Sequence, residues 1–286
     1  LFAVDFVNGI LIMAVPYVIS MIAAACIAVG YGVDGTKLWP VVFAACGLHL
    51  TYFILMYTMV VVAVMLTGNM VVAFLGCVVF SSAVPLAVSL IQGYFMVFFR
   101  TGMWESWQNF METGIRFSPV CEYISSYDAY MNGESMASYV MIALAASVLF
   151  TVVGCFLYKK RPSEAAGKAM AFPVTMPVIR IILVLLSAFG LGVFFWGLRS
   201  STGWAVFGLI CGAVICHCTI EIIYHFDFKK LFAHPVQLVG CILVSVAVLF
   251  AFRYDWFGYD TYIPDAGKVK CAAVSVDRLD SWVSRG

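Results

Sequence analysis

The chain has 286 residues, of which 64% are hydrophobic and only 11% are charged, and its mean hydropathy is +1.01. A soluble domain carries about 25% charged residues and needs a mostly polar surface, so this composition excludes a soluble fold. A net charge of +1 provides no basic surface for nucleic acid, and no nucleic-acid partner is expected. The composition therefore indicates an integral membrane protein that contacts the lipid bilayer over most of its surface.

Seven apolar stretches are long enough to cross a bilayer as helices, which takes about 20 residues each. Their continuous character excludes a transmembrane β-barrel, whose strands alternate over about ten residues. We therefore predict an all-α, polytopic helical membrane protein with about seven transmembrane helices. The predicted spans are 7–30, 38–66, 70–99, 136–158, 174–198, 203–224 and 236–252.

The composition changes after Arg253, where aspartate, glycine and proline replace the apolar runs. We divide the chain into a transmembrane domain at 1–253, which we expect to be incomplete at its N-terminus, and the start of an extracytoplasmic domain at 254–286. The last segment of about 30 residues is too short to bury a stable core by itself. We therefore expect the second domain to continue beyond it.

The positions of lysine and arginine predict the orientation, because basic loops favour the cytoplasmic side of a membrane. The connections after the fourth and the sixth predicted span lie on the same side and, with the start of the fifth span, hold seven of the sixteen basic residues. These are Lys159, Lys160, Arg161, Lys168, Arg180, Lys229 and Lys230. This side is predicted to be cytoplasmic, which places the C-terminal tail outside. The turn at 67–69 shares this side although it has no basic residue.

Ionisable residues inside a bilayer are candidates for function, because their burial is costly. His217, Glu221 and His225 are four residues apart and share one face of the sixth predicted helix. The first and last are separated by a rise of about 12 Å, too far for one ion to contact both, so no metal site is predicted. We expect Glu221 to pair with His217, with His225 or with a basic residue such as Arg180, and a coupling or proton-linked role is the alternative.

His49 and His217 lie at similar depths on different predicted helices, as a haem with two histidine ligands requires. An alternative function is therefore a membrane anchor subunit of a redox complex that binds haem or quinol through His49 and His217. A third is a sensor or scaffold with an external ligand. Apart from the haem or quinol of the redox alternative, we assign no cofactor to the chain. The chain has no phosphate-binding loop, nucleophile elbow or paired-acid motif, and we expect no catalysis within it.

The segment 100–135 connects the third and fourth predicted spans on the external side. Trp104 and Trp107 recur at helical spacing among polar residues, which is typical of an amphipathic helix at the membrane interface. The alternative is a re-entrant external gate that contacts the substrate. In the sixth span, Gly208 and Gly212 have the spacing of a close helix contact.

Several stretches of the chain resemble one family over nearly the whole length. The sequence resembles permease subunits of type-2 ABC exporters, in a Firmicutes-type subgroup with an extracytoplasmic C-terminal domain. The stretches are LFAVDFVNGILIMAVPYVIS, MLTGN, YKKRPSEAAGKAMAF, ICHCTIEIIYHFDFKKLF and FRYDWFGYDTYIPD.

The resemblance implies that the first two spans and the coupling loop of the permease precede this chain. It further implies that the segment 100–135 matches a re-entrant region, and that the last three spans are additions of the subgroup. ATP hydrolysis is then expected in a separate ATPase subunit, and a second permease copy or a paralogue completes the transporter. The substrate is not implied.

Overall fold

A computed structural model describes residues 2–99, 111, 114–162, 164 and 166–260 of the chain. Within these ranges the chain forms eight α-helices. They are α1 (Phe2–Gly30), α2 (Gly35–Leu66), α3 (Met70–Phe98), α4 (Pro119–Met131), α5 (Ala137–Lys160), α6 (Thr175–Arg199), α7 (Thr202–His225) and α8 (Pro235–Arg253). All except α4 are long and apolar enough to cross a membrane, which confirms the predicted fold class and all seven predicted spans.

The observed helix boundaries lie close to the predicted ones, and the largest difference is at the start of α1. This helix begins at Phe2 and includes Asp5 in its first turn. An acidic residue is favoured there by the unpaired N–H groups and the dipole of a helix N-terminus, so the charge does not delay the helix. Two of the other membrane-spanning helices begin at side-chain caps: Asp34 accepts from the N–H of Thr36, and Asn69 accepts from that of Val71.

The helices pack as two groups that α3 joins. In one group α2 packs along α1, α4 and α5, and in the other α6 packs along α7 and α8. The helix α3 contacts α2 on one side and both α6 and α8 on the other. Two buried clusters follow this division, one centred on Leu48, Tyr52 and Leu55 of α2 and a larger one along α6, α7 and α8.

The closest helix contact joins α6 and α7, where the predicted glycine pair lies. A Cβ atom on Gly208 would lie 2.4 Å from the carbonyl oxygen of Leu191, and one on Gly212 would lie 2.5 Å from that of Ser187. Both distances are shorter than any normal contact, so only glycine permits this approach of the two backbones. The close contact that the spacing of Gly208 and Gly212 permits is therefore present.

Three connections meet at one end of the bundle, which we call the basic end: α2–α3, α5–α6 and α7–α8. The turn between α2 and α3 is joined to the α5–α6 connection by backbone hydrogen bonds. Gly167 N–H donates to Gly68 O at 2.9 Å, and Ala171 N–H donates to Leu66 O at 2.8 Å. The turn without basic residues therefore lies beside the basic connection, as the predicted order of spans requires.

The helix α4 does not lie at an end of the bundle, although it is too short to span. Ser118, Val120 and Cys121 line a groove with Ser82 and Pro85 of α3. These two residues of α3 lie about 18–23 Å along it from the basic end, inside a hydrocarbon layer of about 30 Å. The described part of the segment therefore packs beside the apolar stretch of α3, and both alternatives for Trp104 and Trp107 stay predictions.

The predicted gate residues Trp104 and Trp107 lie outside the described residues, as does most of the segment 254–286. The last span ends at Arg253, and the division into two domains at this point stays a prediction. The nine described cysteines are free, as expected for thiols in apolar helices.

Candidate functional site

Glu221 is the centre of a buried charged group near the basic end. Its side chain is fully buried, and Oε1 lies 2.8 Å from Nη2 of Arg180, which is itself 3% exposed. Arg180 lies in the second turn of α6, and Glu221 lies in the last turn but one of α7. The ion pair therefore joins two helices at a depth where an unpaired charge would cost several kcal/mol.

Three histidines surround the same carboxylate. His225 Nδ1 lies 3.1 Å from Oε2, while His234 Nδ1 lies 3.4 Å and His217 Nε2 3.8 Å from Oε1. His217 Nε2 is also 2.9 Å from the carbonyl oxygen of Ala233, to which only a protonated ring nitrogen can donate. We call Arg180, His217, Glu221, His225 and His234 the Glu221 cluster.

Residues around the cluster hold Arg180 in place. Its Nη1 donates to Oε1 of Gln237 on α8, and its guanidinium lies 5.6 Å from the ring centroid of Tyr224. The hydroxyl of Tyr224 donates to the carbonyl oxygen of Met176 at 3.3 Å. Side chains of α6, α7 and α8 thus meet at one point, and the cluster fixes their relative position.

The pairing predicted for Glu221 is confirmed, since Arg180, His217 and His225 all contact it. Sequence reasoning missed His234 and Gln237, because both follow a short connection and look like loop and helix-start residues. The length of the connection between α7 and α8 could have revealed the position of His234. Eight residues from 226 to 233 must bring the chain back beside the end of α7, so His234 has to lie near Glu221.

The backbone at His234 is unusual in a way that serves this contact. Its φ is 57°, in the left-handed region that residues other than glycine rarely adopt. Pro235 follows as the first residue of α8, where a missing N–H costs nothing. This conformation turns the chain into α8 and places the ring of His234 against Glu221, with a ring centroid 6.5 Å from that of His225.

The basic residues Lys159, Lys160, Arg161 and Lys168, which the sequence places on the predicted cytoplasmic side, divide into two kinds. Arg161 is half-buried and its Nη2 donates to the carbonyl oxygen of Thr67 at 2.9 Å, so it fixes the α2–α3 turn. Lys159, Lys160 and Lys168 are exposed, and Lys160 lies 5.3 Å from the ring centroid of Phe156. The last turn of α5 and the connection after it therefore present three exposed lysines beside a backbone that is fixed to its neighbour.

His49 lies in the other helix group from His217. Its Nδ1 forms a hydrogen bond with the hydroxyl of Tyr17, and its ring packs against Tyr123 of α4. His217 contacts Glu221 and Ala233 instead. The described contacts do not bring these two imidazoles together, and no group of three metal-ligating side chains is found in the part of the chain that the structure describes.

One further buried carboxylate was missed at the sequence level. Glu122 of α4 is 1% exposed, and its segment was interpreted only through its aromatic residues. A glutamate in the first turns of a short helix looks like a normal N-terminal charge. Only the insertion of α4 between other helices makes this carboxyl a buried one.

No family model matches the chain, and neither a curated protein nor a solved structure matches it.

Proposed function

We propose that this chain is the transmembrane permease subunit of an ATP-driven ABC-type exporter. It would move an unidentified substrate across the cell membrane with a separate ATPase subunit and a second permease copy or paralogue. The observation that carries the proposal is the arrangement at the basic end. There, a fixed connection with three exposed lysines joins the two helix groups.

The basic end is suited to transmit movement from a soluble partner. The α5–α6 connection is hydrogen-bonded to the α2–α3 turn, and Arg161 donates to Thr67 at the same place. A force on this connection therefore acts on both helix groups, which lie on either side of α3. In this proposal the basic end faces the cytoplasm, in accord with the preference of lysine and arginine for that side, and the C-terminal tail is extracytoplasmic.

The groove between α3 and α4 is the best-placed path for a substrate. Ser81, Ser82 and Ser89 of α3 and Ser118 at the start of α4 line it. Pro85 has no N–H to bond the carbonyl oxygen of Ser81, so this carbonyl lacks its normal helical donor. Hydroxyl groups and such a carbonyl at this depth offer hydrogen bonds that an apolar helix surface lacks.

A charge-removal variant tests the docking of the ATPase at the basic end. Replacing Lys159, Lys160 and Lys168 by glutamine is expected to weaken ATPase association by about tenfold, which corresponds to about 1.4 kcal/mol. Complementary surface charges promote association, and these lysines fix no helix, so the fold should persist. The measurement is recovery of the proposed ATPase partner when the protein is purified from membranes at low salt.

The matched control is Lys37→Gln, which removes an exposed lysine at the opposite end of the bundle. It should leave ATPase recovery unchanged. Equal recovery with the triple variant and the wild type would show that the basic connection is not the docking surface.

A further inference from the structure

Glu122 is a buried carboxyl for which the structure provides no partner. It lies in α4, where its N–H donates to the carbonyl oxygen of Ser118 at 2.8 Å. Neither carboxyl oxygen has a hydrogen-bond partner among the described residues, and the side chain is 1% exposed. The oxygens of Glu221 also lack a hydrogen bond of normal geometry, but they lie 2.8–3.8 Å from an arginine and three histidines.

The nearest polar neighbours of Glu122 are on three elements. Tyr52 of α2 lies beside it and beside Ser126, and the Tyr52 hydroxyl has no hydrogen bond of normal geometry. Arg116 precedes α4, and its Nη2 donates to the hydroxyl of Tyr139 on α5 at 3.0 Å. The guanidinium also lies 4.6 Å from the centroid of the Tyr139 ring, so the cation contacts α5.

The balance of these contacts favours a neutral acid. Burial raises the pKa of the Glu122 carboxyl, and the charge of Arg116 opposes this effect only in part. The second half of α4 carries one further carboxylate, the exposed Asp128, as well as Tyr127 and Tyr130. The other titratable side chains described on α4 and on the faces packed against it contain no carboxylate and no lysine. They are His49, Tyr52, Cys77, Cys121, Tyr123 and Tyr139.

We propose that Glu122 is a proton-binding site whose occupancy depends on the position of α4. With α4 packed against α2 and α5, the carboxyl carries a proton, because an ionised carboxylate without a partner is strongly disfavoured at this depth. When α4 moves away from α2, water reaches the carboxyl and the proton is released. The ligand of the site is a proton, and the inference concerns this chain alone, whether or not an ATPase binds it.

Infrared spectroscopy of the full chain in lipid nanodiscs tests the protonation directly. At neutral pH the wild type should show the carbonyl band of a protonated carboxylic acid, and Glu122→Gln should remove it. The control Glu134→Gln changes an exposed glutamate just after α4 and should leave the band unchanged. A spectrum of Glu122→Gln identical to that of the wild type would overturn the proposal.

The link to α4 is tested through Cys121, the neighbour of Glu122 in the groove. Raising the pH until the band disappears should increase thiol labelling at Cys121 several-fold, as located by mass spectrometry. In Glu122→Gln the labelling of Cys121 should not follow this transition. Loss of the band with unchanged Cys121 labelling would contradict the coupling between the proton and α4.

A second measurement covers the case in which Glu122→Gln does not fold. A hydrophobic carbodiimide reacts with protonated carboxyls inside membranes, so the unmodified protein should be labelled at Glu122. Glu134, which is exposed, and Glu221, which contacts Arg180, should remain unlabelled under the same conditions. Labelling of Glu122 no stronger than that of Glu134 would count against a neutral carboxyl.

Discussion

Replacing Arg180 by methionine is expected to lower the free energy of unfolding by about 3–5 kcal/mol. The substitution keeps most of the side-chain volume but leaves Glu221 fully buried without its guanidinium partner at 2.8 Å. Gln237 also loses the donor that holds it to α6. The measurement is reversible unfolding of the purified protein in mixed micelles, compared with the wild type under identical conditions.

Two further variants test whether the loss of stability comes from the broken ion pair or from the removal of any arginine. Arg199→Met changes an exposed arginine at the end of the same helix and should cost less than about 1 kcal/mol. The double variant of Arg180→Met with Glu221→Gln removes both charges and should recover most of the lost stability. If the double variant is no more stable than Arg180→Met alone, then the buried charge is not the cause.

The second large effect is expected at the contact between α6 and α7. Gly212→Ala should destabilise the protein by about 1–3 kcal/mol, the usual cost of inserting atoms into a packed interior. The new Cβ would lie 2.5 Å from the carbonyl oxygen of Ser187, and a backbone atom cannot move aside without shifting the helix. Unfolding in mixed micelles measures the loss.

The matched control for this substitution is Gly240→Ala on α8, where a Cβ would meet nothing within 4 Å. Alanine is the better helix former, so this variant should be as stable as the wild type or slightly more stable. A Gly212→Ala protein with unchanged stability would show that the two helices separate at no cost. It would also remove the reason for the glycine spacing.

Most of the fold could be predicted from the sequence, because a bilayer permits few structures. Long apolar runs must form helices that satisfy their own backbone, and this fixes all seven spans. The pairing of Glu221 was predictable for the same reason, since a charge at that depth requires a partner. The glycine pair at Gly208 and Gly212 was recognisable because small residues are what close helix contacts need.

The rest depends on how elements that are distant in sequence come together. The helix α4 has a mixed composition, and its insertion beside Tyr52 depends on packing that no local pattern encodes. The burial of Glu122 was hidden for that reason. His234 was hidden because its role follows from a left-handed backbone at the start of α8. The position of a loop histidine relative to Glu221 cannot be found from helical spacing.

The most direct test of the proposed transport function is ATP turnover in liposomes. The protein is reconstituted with the ATPase subunit that the proposal requires, and phosphate release is compared with that of the ATPase alone. The proposal predicts turnover that depends on the permease and falls when Lys159, Lys160 and Lys168 are replaced by glutamine. Turnover of the ATPase that is the same with and without the permease, together with haem absorbance in the purified chain, would contradict it.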